Sequence, residues 1–263
     1  MARSAFFQDP DLDQVFLRDE AVLEKIVGFA GLKKTDTVLE IGAGPGNLTE
    51  KLSSKCGKLI SIEIDERLKP VLEEKFRGKN VRFIWGNAIA VLSKEKLRYD
   101  KLVANSPYAI CEPLMHTLFT QKFSSAVLTL PWRFVERLAA NPEEGYYSKL
   151  SLFSQSFFRI ETLLRIEKDA WHPRPDTASM VVKLTPKKPE GSDVLVREIV
   201  LQDDKKLRNA LREALMNTGA KTKRSAREEL EKLGIREKIL DRKVSEIPFD
   251  DLQDVIRRFD NAG

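Results

Sequence analysis

Apolar positions along the chain keep two rhythms as far as about residue 190 and one rhythm beyond it. In EAVLEKIVGFA, residues 20–30, the side chains of Val22, Leu23, Ile26, Val27 and Ala30 recur on one helical face, and Gly31 is placed to end the helix. The run Thr37-Val38-Leu39-Glu40-Ile41 is short and apolar, and it breaks into Gly42-Ala43-Gly44-Pro45-Gly46. That is the pattern of a strand, a tight turn and a helix. Further strands are predicted at 58–63, 81–85, 101–104 and 125–130, with a charged amphipathic helix after the first of these reaching about residue 77. Strands alternating with helices at this spacing imply a mainly parallel sheet covered on both faces.

Two more strands, 160–166 and 179–184, bring the sheet to seven and enclose the Pro-rich stretch from Trp171 to Asp176. Pro186-Lys187-Lys188-Pro189-Glu190-Gly191 reads as a linker, and the chain beyond it has helical spacing without strands. The expected organisation is therefore an α/β domain over residues 1–189 and a small helical domain over 190–263. Phe249, Leu252, Val255, Ile256 and Phe259 form the apolar stripe of the last helix and are expected in its core.

Composition changes this picture little. With 42% hydrophobic residues the chain can build a packed core and is not disordered by composition. The charged fraction is 32% with a net charge of +5, which fits a polyanionic partner and equally fits a well-solvated surface. Cys56 and Cys111 lie far apart, and His116 and His172 are the only histidines, so no metal-binding spacing is present and a reducing compartment is expected. The start, MARSAFFQDPDLDQ, has neither a charged n-region nor an apolar h-region, and no apolar run approaches a membrane span. The expectation is a cytoplasmic monomer without membrane association.

The glycine turn after the strand at 37–41 is the first chemical signal. Glycines there let a ligand approach the backbone and open a helix N-terminus towards it. A dinucleotide fingerprint places glycines first, third and sixth. Here Gly42, Gly44 and Gly46 are first, third and fifth, Asn47 is sixth, and the acidic Glu40 precedes the turn. Both features favour S-adenosylmethionine, whose methionine end is cationic and lacks a pyrophosphate. Glu63, ending the next strand, stands where a carboxylate can accept hydrogen bonds from both ribose hydroxyls.

The second signal is Asn105-Ser106-Pro107-Tyr108, directly after the strand at 101–104. It matches an amine-methylating pattern, [Asn/Asp]-x-Pro-[Tyr/Phe], at the strand end where α/β enzymes keep their chemistry. The exocyclic nitrogen of adenine is a poor nucleophile because its lone pair is delocalised into the ring. The Asn105 side-chain oxygen and the Ser106 carbonyl can each accept one of its N–H bonds, drawing it towards a tetrahedral shape. Pro107 stiffens the turn, and Tyr108 offers a face on which an extruded base can stack.

These residues resemble the KsgA family of rRNA adenine N6-dimethyltransferases, which is related to the Erm rRNA methyltransferases, and the resemblance runs from about Gln14 to the C-terminus. Asp13-Gln14-Val15-Phe16-Leu17-Arg18-Asp19 is similar to the family's GQxFLxD signature, with Asp13 in place of Gly. Val38 to Thr49 matches the cofactor loop, Ile62-Glu63-Ile64-Asp65 the acidic strand end, and Trp171 to Ser179 the FxPxPxVxS segment. The resemblance implies a Rossmann-like class I methyltransferase fold with a small C-terminal helical domain. It implies S-adenosylmethionine held by Gln14, Phe16, Leu17, Glu40, Gly42, Gly44, Gly46, Glu63, Ile64, Asn87, Ala88 and Asn105. It also implies a target base clamped between Tyr108 and Trp171, in small-subunit rRNA or a pre-ribosomal small subunit.

Three departures stand out. Gly86-Asn87-Ala88 replaces the usual Gly-Asp-Ala, Ser106 stands where the family has Leu or Ile, and Leu130-Pro131-Trp132-Arg133-Phe134 replaces a Gln-containing stretch. Lys205, Lys206, Arg208 and Arg212 on one helix, and Lys221, Lys223, Arg224 and Arg227 at the next, suit phosphate contacts along RNA, although Asp203, Asp204 and Glu213 interleave. Two alternatives stay open at this point: methylation of another amine, in DNA adenine or protein glutamine, and an RNA-binding ribosome-assembly factor with weak or lost catalysis.

Overall fold

The computed structural model describes residues 15–218 and 222–262. Nine strands are assigned among them: β1 (Phe16–Leu17), β2 (Thr37–Ile41), β3 (Lys58–Glu63), β4 (Val81–Trp85), β5 (Lys101–Asn105), β6 (Ser125–Pro131), β7 (Phe158–Ile166), β8 (Trp171–His172) and β9 (Ser179–Pro186). Helices α1 (Glu20–Ala30), α2 (Asn47–Lys55), α3 (Lys69–Lys75), α4 (Ala88–Lys94) and α5 (Cys111–Leu118) fall between the early strands. They are followed by α6 (Trp132–Ala139), α7 (Lys149–Phe157), α8 (Asp193–Leu201) and α9 (Leu207–Thr218). The last three are α10 (Lys223–Lys232), α11 (Glu237–Leu240) and α12 (Phe249–Ala262).

The described residues pack as two compact units, those within 1–136 together with 159–186, and those within 137–158 together with 187–263. In the first unit seven strands form one sheet in the order β4-β3-β2-β5-β6-β9-β7. The pairs β2–β3, β3–β4, β2–β5 and β5–β6 are parallel, and β6–β9 is antiparallel. The central strands β2 and β3 are buried on both faces over almost their whole length, as a mainly parallel sheet covered by helices requires, with Glu40 and Ser61 as polar residues inside them. Helix α1 forms where its periodicity placed it. Asp19 caps its start by accepting the Ala21 and Val22 N–H groups, Gly31 ends it in a left-handed conformation, and Leu23, Ile26, Val27 and Ala30 are buried.

Chain order reverses between β2 and β5: β3 and β4 lie to one side, β5 and β6 to the other. Helices leave β2 and β5 towards opposite sides of such a switch point, which opens a crevice at the C-terminal ends of the two strands. The glycine turn and the Asn105 segment both begin there.

A second, two-stranded sheet pairs β1 with β8 antiparallel, Phe16 opposite His172 and Leu17 opposite Trp171. Strands this short carry no periodicity, and the sequence reading missed both. In the second unit α8 buries Leu195, Val196, Ile199 and Val200. Helix α12 buries Leu252, Val255 and Ile256 and leaves Phe249 and Phe259 half-buried, so the expected stripe is its core face. Residues 137–158 cluster with these helices. Arg197 of α8 donates to the Ser156 carbonyl and lies over the Phe157 ring, which ties that segment to α8.

Candidate cofactor and target-base site

Beside the switch point lies a cavity of about 270 Å³, lined among others by the glycine turn, the end of β3 and the Asn105 segment. The turn is shaped by backbone that a side chain would disturb. Gly44 and Gly46 have φ of +51° and +84°, a region L-residues rarely adopt. A Cβ on Gly44 would stand 3.1 Å from the Phe16 ring, and one on Gly46 2.9 Å from Phe76 of the layer behind. Phe16 therefore lies directly over the turn. Asn47, the first residue of α2, donates to the Leu17 carbonyl at 3.3 Å and holds β1 in that position.

Glu63 is buried and fixed. Its Oε2 accepts the Gly44 N–H at 2.8 Å and its Oε1 accepts the Asp65 N–H at 2.9 Å. Each oxygen keeps a further lone pair, and the residue lines the cavity. Asp65 is held in turn by a two-pronged contact from Arg67, at 2.7 and 2.8 Å. Asn87 caps α4 by accepting the Ala90 N–H at 3.1 Å, and it lines the cavity with Gly86 and Ala88.

Asn105 ends β5 beside Gly42, whose added Cβ would lie 3.7 Å from the Asn105 carbonyl oxygen. The Asn105 Oδ1 accepts a hydrogen bond from the Thr129 hydroxyl at 2.7 Å. Ser106 is buried, and Tyr108 is half-buried with its hydroxyl 2.7 Å from that of Ser179 at the start of β9.

Of the residues singled out in the sequence, Phe16, Leu17, Gly42, Gly44, Glu63, Ile64, Asn87, Ala88, Asn105, Ser106 and Pro107 line this one cavity. Gln14 lies outside the described residues. Gly46 supports the turn from behind, and Tyr108 lies between the lining residues Pro107 and Ala109. Two expectations change. Glu40 is fully buried away from the lining; its Oε2 accepts the Thr49 and Ser61 hydroxyls at 2.8 and 2.7 Å, while its Oε1 has no partner. Burial pushes its carboxyl up to about 7, against the lowering effect of those two hydroxyls, and the charge of Glu63 adds to the rise. Trp171, expected as the second wall of the base clamp, is buried: it stands opposite Leu17 in the small sheet, belongs to the same apolar cluster as Leu17 and Leu23, and its indole N–H is buried without an acceptor. It supports the strand that carries Phe16.

Residues the sequence reading did not single out complete the site. Ile41, Ile62 and Ile110 supply apolar wall, and they carry no signal because their types are those of any core. Thr129 had a signal, a hydroxyl in the middle of the apolar strand Ser125-Ala126-Val127-Leu128-Thr129-Leu130, whose meaning depends on its neighbour in β5.

A cavity at the switch point that combines a glycine turn, a buried carboxylate with free lone pairs and apolar wall has the chemistry to take a nucleoside by its ribose, and the donor set fits S-adenosylmethionine. With the seven-stranded sheet it defines a Rossmann-like class I methyltransferase. Residues 7–239 match the family described as ribosomal RNA adenine dimethylase. A probable ribosomal RNA small subunit methyltransferase A from Pyrococcus abyssi is 35% identical over 212 residues, covering 80% of this chain and 78% of the relative. One from Methanococcoides burtonii is 38% identical over 207 residues, 76% of each chain. The crystal structure of a dimethyladenosine transferase from Plasmodium falciparum is similar at a TM-score of 0.65 and 27% identity, covering 94% of this chain and 98% of that one. The chain belongs to the ribosomal RNA adenine dimethylase family, and its methyl donor is S-adenosylmethionine.

Proposed function

We propose that this chain methylates the exocyclic N6 amine of adenine in small-subunit ribosomal RNA, ending in N6,N6-dimethyladenosine, during ribosome biogenesis. The observation that carries this reading is the Asn105-Ser106-Pro107 segment lining the same cavity as the glycine turn and Glu63. The same reading places the protein in the cytoplasm as a monomer, acting on the RNA or on a pre-ribosomal small subunit. Among the described residues no helix is long and apolar enough to cross a membrane.

S-adenosylmethionine, when bound, supplies a methyl group activated by its sulfonium. Glu63 takes the two ribose hydroxyls on the lone pairs its backbone partners leave, and Asn87 offers its oxygen to the adenine amine. Phe16 and Ile64 cover the nucleoside and exclude water. At the target base, the Asn105 Oδ1 and the Ser106 carbonyl accept the two N–H bonds of the amine and turn its lone pair outwards. Pro107 limits the backbone that aims the Ser106 carbonyl. The Tyr108 ring, held at its hydroxyl by Ser179, is the stacking face for the base. A nitrogen that has gained positive charge sheds its proton to water, so no strong base is needed. The basic helices of the second unit serve RNA contact in this reading.

The test is transfer of labelled methyl from S-adenosylmethionine to unmethylated small subunits, with nucleoside analysis of the product, beside Asn105→Ala. Dimethyladenosine is expected from the natural protein, with turnover on the order of a hundredfold slower in the variant. Bound cofactor and bound subunit with no transfer would sink the enzymatic reading on this substrate and leave an assembly factor.

A further inference from the structure

We infer that Thr129 is the positioning residue that holds the Asn105 amide in its working orientation. The inference rests on the reading of Asn105 as acceptor of the target amine. Strand β6 is buried and apolar along almost its whole length, and Thr129 places a hydroxyl at the position paired with Asn105 in the neighbouring parallel strand. Thr129 is 1% exposed, so water does not satisfy that hydroxyl; it donates to Asn105 Oδ1 at 2.7 Å.

The geometry has a definite consequence for the reaction. The terminal torsion of an asparagine is broad, so an unanchored amide turns freely and presents oxygen or nitrogen to its surroundings. An amide nitrogen facing the target amine sets donor against donor. The bond from Thr129 fixes the amide plane and uses one of the two lone pairs of Oδ1, leaving one for a single N–H of the substrate. Thr129 does not line the cavity, so it acts through Asn105 and not on the base.

Thr129→Val keeps the shape and removes the hydroxyl; Thr129→Ala removes it without any risk of crowding, and Thr129→Ser keeps the hydroxyl. Fold is checked by thermal unfolding for each. In the free protein, the side-chain amide signals of Asn105, identified in an asparagine-labelled spectrum by their loss in Asn105→Ala, are expected to shift in the Val and Ala variants and to stay in place in the Ser variant. In turnover on small subunits, kcat is expected to fall roughly tenfold in Val and Ala, with KM for both substrates within about twofold of the natural protein, and to recover in Ser. Amide signals unchanged in both Val and Ala overturn the inference, whatever the activity. Shifted signals with unchanged kcat overturn its catalytic part. A natural protein that transfers no methyl fails the functional reading instead, and the amide signals still decide whether Thr129 is the anchor.

Discussion

Asn87 opens α4 by accepting the Ala90 N–H on its side-chain oxygen, and the same residue lines the cofactor cavity. One oxygen thus serves a helix cap and, in the proposed mechanism, the adenine amine. Asp at this position caps equally well and carries two oxygens and a charge. Asn87→Asp is therefore expected to tighten S-adenosylmethionine binding by roughly five- to tenfold, about 1 kcal/mol, as read by calorimetric titration. Unchanged or weaker affinity would show that Asn87 does not meet the adenine. At this scale the sequence was legible where a residue type is rare in its setting: glycines at φ of +51° and +84°, an Asn-x-Pro-Tyr run after a strand, an acid ending β3. It was not legible where the answer depends on a partner distant in sequence. Trp171 lies buried in one apolar cluster with Leu17, its neighbour in the small sheet, and Thr129 gains its meaning from Asn105, a residue of another strand.

Three elements meet at Glu40. From β2 its carboxylate accepts hydroxyls from Thr49 of α2 and Ser61 of β3, and it clamps the start of the glycine turn to both neighbours. Its folded value of about 7 lies above the ordinary 4.5, so the folded chain holds this proton more tightly than the unfolded chain. Below pH 4.5 both states are protonated and the group leaves stability unchanged. Between 4.5 and 7 the unfolded chain releases its proton while the folded one keeps it, and stability falls as pH rises. Above 7 the folded carboxylate is charged as well, and the penalty levels off at about 3 kcal/mol. Glu40→Gln keeps an acceptor oxygen and cannot charge. The difference in unfolding free energy between it and the natural protein is expected to open in favour of the variant between pH 5 and 8; parallel curves would show that Glu40 does not titrate there. The elements around this clamp were readable from periodicity because each buries one complete face or run, as β2, β3 and α1 do. Strands β1 and β8, two residues each, bury too little to leave a period.

Across the whole molecule 45 basic side chains face 40 acidic ones, and the second unit shows why clustering in sequence is a weak guide to a binding surface. Lys206 and Arg208 bond Asp241 and Glu237 of and beside α11, and Arg224 bonds Glu228 one turn along α10. The basic stripe read from sequence is in part an internal ion-pair network, because acids distant in the chain, at 237 and 241, fold back onto it. Lys223 and Arg227 differ: both are exposed and lie one turn apart on α10. If these two meet phosphates, each contact releases counterions, and the affinity for RNA falls with salt in proportion to their number. Replacing both by alanine is then expected to weaken binding to small-subunit rRNA at low salt and to make the slope of log affinity against log salt shallower by about 1.5. Cofactor affinity is expected to stay the same, since the lining of its cavity belongs to the first unit. Filter binding across a salt series separates the outcomes. Two parallel lines would remove Lys223 and Arg227 from the RNA surface and return them to the ordinary solvated face of a helix, whereas converging lines would assign phosphate contact to α10 and explain why a helical unit accompanies a complete methyltransferase fold.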